Sequence, residues 1–238
     1  MYAFSVRETR QRAFAREGSV QDARFCAGCH DPVPFFSGAF EESRWDDPNY
    51  DAAHDPVGAA SITCNACHAI CEVGAPNGSI SGNADYVIAQ PAEYPFAQAD
   101  NSFLRWINHQ LIRARPELHK RTFLKPEVHR STEFCGTCHK VFLPEDVNDY
   151  RWLRGQNHYD SFRLSGVSGF GAQSWYYPPK AETNCNSCHM HAVPSDDPAA
   201  KPRGPLGQLA VLDHGFVSSN TATPMLSGLP DASKVLAE

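Results

Sequence analysis

The chain has 238 residues and a formal charge of −6 at pH 7, with 27 acidic against 21 basic side chains, and 42% of its residues are apolar. That balance, with no basic stripe carrying interleaved aromatics, argues against a nucleic-acid-binding protein. No stretch approaches eighteen uninterrupted apolar residues, so no membrane span is expected in this segment.

In chain order, the first expected element is a charged helix from Ala3 to Glu17, stopped at Gly18. Arg7, Arg10, Arg12 and Arg16 punctuate it without an apolar centre, so it reads as neither a signal peptide nor an anchor. Residues 1–24 are expected to form an N-terminal helical extension. Turn-forming residues dominate 46–51, 74–78 and 194–198. Tyr86 to Ile88 and Leu209 to Leu212 carry strand signals, each too short to organise a sheet. The clearest helix runs from Ser102 to Arg115, with Asp100, Asn101 and Ser102 as capping residues and Pro116 beyond its end. Phe103, Leu104, Trp106, Ile107 and Leu111 share one face of it, and His109 points away. A further helix is expected around Tyr150 to Phe162.

Four times a cysteine pair separated by two residues is followed at once by histidine: Cys26/Cys29-His30, Cys64/Cys67-His68, Cys135/Cys138-His139 and Cys185/Cys188-His189. Random placement of nine Cys and eleven His predicts roughly 0.02 such matches. This order is the attachment signature of c-type haem. Two thiols add across the porphyrin vinyl groups, while the next side chain in a tight helical turn reaches the iron. Zinc ribbons or disulfides leave the histidine after every pair unexplained. Four covalently attached haems are therefore expected, packed by the 14 Phe, 8 Tyr and 4 Trp. Successive first cysteines lie 38, 71 and 50 residues apart, so the sites are not identical tandem repeats.

If His30, His68, His139 and His189 each supply one axial ligand, seven histidines remain for four distal positions. Methionine competes weakly: Met190 adjoins His189, which is too close to cross the plane of the same haem, and Met225 is the other internal one. Mostly bis-histidine ligation is expected, which lowers the reduction potential relative to His/Met ligation. His158 sits in a polar-aromatic segment between the third and fourth motifs, and His214 follows the fourth after a long Pro-rich loop. His54 precedes the second motif by ten residues. His119 and His129 occur in similar Pro-Glu-apolar-His-basic sequences and compete for one role, with His129 preferred. His191 reads as a propionate or solvent contact. Cys71, outside the motifs, reads as a buried thiol, with an intermolecular disulfide as the alternative. Of the 21 basic residues 15 are Arg, suited to forked pairing with propionates or to a solvated surface.

From Phe25 to Phe216 the chain resembles the multihaem cytochrome c family, in particular tetrahaem modules of the cytochrome c-554 type and modules of larger bacterial multihaem proteins. The resemblance rests on the four motifs, on Ser61-Ile62-Thr63, on Phe134 to Lys140, on Gly155 to Gly171 and on Tyr176 to Lys180. It implies a mainly α fold with extensive loops around stacked haems, with little or no β-sheet. It also implies that histidines between the motifs, and one after the last, ligate haems remote in sequence, which fits His54, His129 or His119, His158 and His214. The expected organisation is a tetrahaem domain over 25–217, followed by a tail or linker over 218–238.

The expected function is electron transfer along a chain of low-potential haems to redox partner proteins. Two alternatives stand beside it. One is an enzyme with a five-coordinate haem acting on a small nitrogen or sulfur compound. The other is a subunit of an extracellular cytochrome filament, homo-oligomer or larger redox complex. Covalent haem attachment takes place outside the cytoplasmic membrane in bacteria, so a periplasmic or extracellular setting is expected. Without a visible export signal, the segment reads as a mature form or an excised module.

Overall fold

The computed structural model describes residues 3–47, 49–51, 54–60, 62–74, 82–89, 94–97, 99–143, 151–171, 180–197 and 199–216, without the side chains of 3–8, 22, 118 and 119. The chain divides into two compact units. One comprises Met1–Pro91, Lys125–His129 and Glu133–Arg163; the other comprises Ala92–Leu124, Arg130–Thr132 and Leu164–Glu238.

The first unit opens with helices α1 (Ala3–Glu17), α2 (Gln21–His30) and α3 (Pro32–Ser37), followed by 3-10 turns at Ala39–Glu41 and Ser43–Asp46. Gly18, at φ +65°, ends α1 as expected, and its N–H returns to the Phe14 carbonyl at 2.8 Å. Ala13, Ala23 and Ala27 let α1 and α2 approach closely over Phe40 and Trp45. Arg10, only 2% exposed, ties α1 to the turns. Its Nε donates to the Phe40 carbonyl at 2.8 Å, one Nη donates to the Glu42 carbonyl at 3.2 Å, and the other pairs with Asp46. Arg10 and Ala13 of α1 are therefore part of this unit's core.

The rest of the first unit is built from short helices running into ribbons. Helix α4 (Cys64–Ala69) continues into β1 (Ile70–Val73), which pairs antiparallel with β2 (Tyr86–Ile88). In the second unit, α5 (Ser102–Ala114) starts at Asn101, whose Oδ1 accepts from the N–H groups of Phe103 and Leu104 at 2.8 and 3.4 Å. It is followed by α6 (Pro116–Leu124). Phe103 and Trp106 of the expected apolar face stack at 5.9 Å between ring centroids, but they are 63% and 56% exposed, whereas Asn108 is buried.

Helices α7 (Pro126–His129) and α8 (Thr132–His139) lead into β3 (Lys140–Leu143), which pairs antiparallel with β4 (Leu153–Asn157), before α9 (His158–Leu164). Within the helix expected around Tyr150 to Phe162, Leu153–Asn157 is thus a strand, and Tyr150 lies outside the described residues. Leu153 and Arg154 find main-chain partners in Leu143 and Phe142, and helix begins only where the Asn157 side chain caps the Asp160 N–H at 2.9 Å. In the second unit α10 (Asn186–His189) precedes β5 (Ala192–Pro194), β6 (Lys201–Arg203) and β7 (Gln208–Leu212), with β7 central in an antiparallel sheet. The expected strands at 86–88 and 209–212 are present, each inside a small sheet. No helix among the described residues is long and apolar enough to cross a membrane.

Candidate functional site

Three of the four Cys-x-x-Cys-His runs lie wholly on one short helix, and in the fourth Cys185 is the N-cap residue of α10. His30 and His139 are the last residues of α2 and α8, His68 is in the last turn of α4, and His189 ends α10. Residues i, i+3 and i+4 of a helix share a face, so each run presents two sulfurs and one imidazole side by side. None of the nine cysteines is in a disulfide. The donor set therefore fits covalent haem: paired thiols for two vinyl groups, and a histidine on the same face for iron. Among the described residues no group of three or more His, Cys, Asp or Glu is arranged around a bare metal ion.

The eight motif thiols are not equally enclosed. Cys26, Cys29, Cys67, Cys135, Cys138 and Cys185 are half-buried, whereas Cys64 and Cys188 are exposed. The fourth motif is the most open of the four, because His189 beside Cys188 is exposed as well. The reason is local. Helix α10 is a single turn with no buried residue and no side-chain cap at Cys185, and the main-chain N–H groups of Cys188 and His189 both return to the Cys185 carbonyl, at 3.3 and 3.0 Å. So short a turn has no inner face to press Cys188 against a core, unlike α2, which packs its alanines on α1.

The apolar surface fits a large flat prosthetic group as well. Among the described residues the buried apolar core comprises Ala13, Ala23, Ala27, Ala39, Phe40, Trp45, Ile70, Tyr159 and Ala210, while many large apolar side chains are exposed. Several of the exposed ones decorate the ribbons that leave the motifs: Val87 on β2, Leu153 on β4, and Val193 and Leu209 on β5 and β7. Trp152, beside β4, stacks on Phe142 at 6.0 Å. Porphyrin faces are surfaces that such side chains would cover.

Three thiols of the first unit approach one another. Cys29 and Cys138 hydrogen-bond through their sulfurs; that bond and burial raise Cys29, and the same bond lowers Cys138. Cys67 is raised by burial and by the charge of Cys138. Tyr86 belongs to this group: burial raises its phenol, with further contributions from Cys138, Cys29 and Cys67, and its hydroxyl donates to the Gly28 carbonyl at 2.6 Å. Burial lowers His30, favouring the neutral imidazole that metal ligation requires.

The segment Gly82–Ala84 holds the first and third motifs together. All three residues have positive φ, at 82°, 54° and 60°. Asn83 donates its N–H to the Lys140 carbonyl at 3.0 Å and accepts at Oδ1 from the Phe142 N–H at 2.9 Å. The Ala84 N–H donates to the Thr137 carbonyl at 2.7 Å. A Cβ on Gly28, inside the first motif, would lie 2.7 Å from the Ala84 Cβ. Glycine permits this approach.

Two of the expected distal histidines meet a motif histidine. His129 stands edge-on to His68, with ring centroids 4.8 Å apart and planes at 73°, and its Nε2 is 3.3 Å from the Cys67 carbonyl oxygen. His158 lies with its Nδ1 3.3 Å from that of His139, and the Gln156 Nε2 is within 3.2 Å of both. The second pairing follows from strand register. Lys140, directly after His139, faces Asn157, directly before His158, so the β3–β4 ribbon brings the two imidazoles level.

The fourth motif uses a related ribbon. Ala192 pairs with Leu212, and the Asp213 N–H donates to the His191 carbonyl at 2.8 Å, so His214 returns to the strand end adjoining α10. The His214 ring stands edge-on to Phe216 at 5.9 Å. His54 is not brought to a motif in this way: its side chain is 86% exposed and its Nδ1 is 2.6 Å from Asp51 Oδ2. His119 lies on α6, and its side chain is outside the described set. His109 is exposed, as expected. The Cys71 thiol, half-buried where burial was expected, donates to the Val87 carbonyl at 3.5 Å. Sequence reasoning missed Gln156, Tyr86 and the Gly82–Ala84 turn; the one available signal was Gly82-Asn83 as a turn-forming pair.

Comparison with protein-family models, with curated proteins and with solved structures returns no match.

Proposed function

We propose that the chain is a tetrahaem c-type cytochrome that transfers electrons through closely spaced, mostly bis-histidine haems, with a periplasmic or extracellular setting. Cys26/Cys29, Cys64/Cys67, Cys135/Cys138 and Cys185/Cys188 would hold the porphyrins, with His30, His68, His139 and His189 on one side of each iron. Bound haem supplies a one-electron iron couple whose potential the axial ligands and surroundings tune. The polypeptide's part is to fix distances and orientations, exclude water and present neutral imidazoles.

The observation that carries this reading is the pairing of attachment histidines with histidines remote in sequence, His68 with His129 and His139 with His158. The ribbon ending at Asp213 supports His214 as the distal residue of the fourth motif. The interaction of Cys29 with Cys138 supports close spacing, since porphyrins attached at neighbouring thiols would themselves be neighbours. Close haems carry electrons onward to a redox partner protein or a larger assembly.

The test is expression with a haem-attachment system, followed by intact mass and magnetic spectroscopy. Four covalent haems with predominantly low-spin, bis-histidine signals are expected. A chain that matures without covalent haem overturns the reading. One fully high-spin haem that binds added nitrite or sulfite replaces it with the enzymatic alternative.

A further inference from the structure

Lys125 sits between α6 and α7, and its two ends reach the two halves of the His68–His129 pair. Its main-chain carbonyl accepts from the N–H groups of Val128 and His129, both at 3.0 Å, closing the short turn that carries His129. Its ammonium donates to the main-chain carbonyl of His68. That carbonyl lies in the last turn of α4, at the negative end of the helix, where a cation is favoured. One residue thus spans from the backbone of an attachment histidine to the backbone of the imidazole opposite it. Pro126 supports this, because the residue before a proline is pushed out of the helical region, which separates α7 from α6.

Lys125 is partly buried, with its ammonium held on the His68 carbonyl. A surface lysine would make none of these contacts. The arrangement has a steric and an electrostatic consequence. The ammonium holds α7 against α4, which fixes where the His129 ring stands. It also keeps a positive charge beside the second motif, where it opposes the more positive, oxidised state of an iron held by His68.

Resting on the haem reading above, we infer that Lys125 is a positioning residue for the second haem, setting the approach of His129 and raising that haem's reduction potential relative to a neutral side chain at the same place. His129 remains the ligand; Lys125 acts through it and through the fixed charge.

The experiment uses the full haem-loaded protein. His129→Ala first identifies which of the four haem signals belongs to the second motif. Lys125→Met, of similar length and without charge, is then compared with Lys125→Arg by potentiometric titration and low-temperature magnetic spectroscopy. The expected result is a shift of that one haem to a more negative potential in Lys125→Met, with a broadened low-spin signal. Lys125→Arg restores the charge and most of the native signal. Should Lys125→Met not accumulate, Lys125→Gln, which keeps a hydrogen-bond donor without the charge, is expected to shift the potential with less broadening. Four haems whose potentials and spectra are the same in Lys125→Met, or in Lys125→Gln if that is the variant obtained, and in the parent overturn this inference while leaving the electron-transfer reading intact. A protein without covalent haem overturns both.

Discussion

Cys29 and Cys138 hydrogen-bond through their sulfur atoms, although one belongs to the first motif and the other to the third. Two porphyrins held there would couple electronically. Removing either pair, Cys26→Ala/Cys29→Ala or Cys135→Ala/Cys138→Ala, is expected to lower the haem content by one in four and to erase the same bisignate feature from the Soret circular dichroism. A couplet that survives both removals would show that these two haems are not neighbours.

Substituting His158 or His129 by Ala is expected to turn one low-spin haem high-spin in each case, with a different haem affected each time. His54→Ala is expected to leave the spin-state distribution unchanged, because its imidazole is exposed and engaged by Asp51. Magnetic circular dichroism of the three variants decides the matter; a high-spin haem in His54→Ala would restore that residue to the ligand set.

Gly82→Ala is expected to be severely destabilising. The added Cβ would collide with the Lys140 carbonyl oxygen, at a φ of +82°. Both objections are to backbone atoms that cannot rotate away, so a loss of about 3 kcal/mol or more is expected in denaturant unfolding. A loss within about 0.5 kcal/mol, the size of an ordinary surface substitution, would mean that the turn is not packed against β3.

Arg10→Met tests whether α1 belongs to the first unit's core. The substitution removes the Arg10 donor from the Phe40 carbonyl, leaves the Glu42 carbonyl with the Trp45 N–H alone, and takes the Arg10 cation from Asp46. Breaking a buried ion pair from one side costs about 3 kcal/mol. Thermal unfolding of the haem-loaded protein is expected to move down by several degrees, and an unchanged midpoint would return α1 to the status of an appendage.

Asp31 gives a pH dependence with a definite sign. It is 1% exposed, its Oδ1 has no hydrogen-bond partner, and burial raises it from 3.8 to about 7. A carboxyl whose folded pKa is raised binds its proton more tightly folded than unfolded. Its contribution is therefore fully present below about pH 4 and is lost as pH rises to about 7, a span of order 4 kcal/mol. Asp31→Asn is expected to flatten unfolding free energy against pH across this window; a slope equal to that of the parent would exclude Asp31 as its source.

Much of this protein was legible before folding was considered, and the boundary of what was legible is physical. Ala3–Glu17 and the Asn101-capped helix could be read because the Gly18 stop of the first and the cap and periodicity of the second lie within or beside each segment. Tyr150 to Phe162 could not, because whether 153–157 extends or coils depends on β3, across an intervening segment. The exposure of Phe103 and Trp106 was also invisible, since periodicity reports that a helix has an apolar face but not what covers it. The same holds for Cys188, whose motif is as complete as the other three and whose exposure depends on what packs beside α10.

The same division runs through the candidate site. By itself the sequence determined that two thiols and an imidazole share a face in each motif, the arrangement on which the haem proposal rests, because residues in one helical turn need no long-range contact to do so. Only the tertiary structure decided which histidine faces which. His158 meets His139 through the register of a ribbon, His129 meets His68 through a turn closed by Lys125, and His54 stays in solvent with Asp51. Such pairings are non-local, so they are set by backbone hydrogen bonds and packing between segments rather than by the residues beside each histidine.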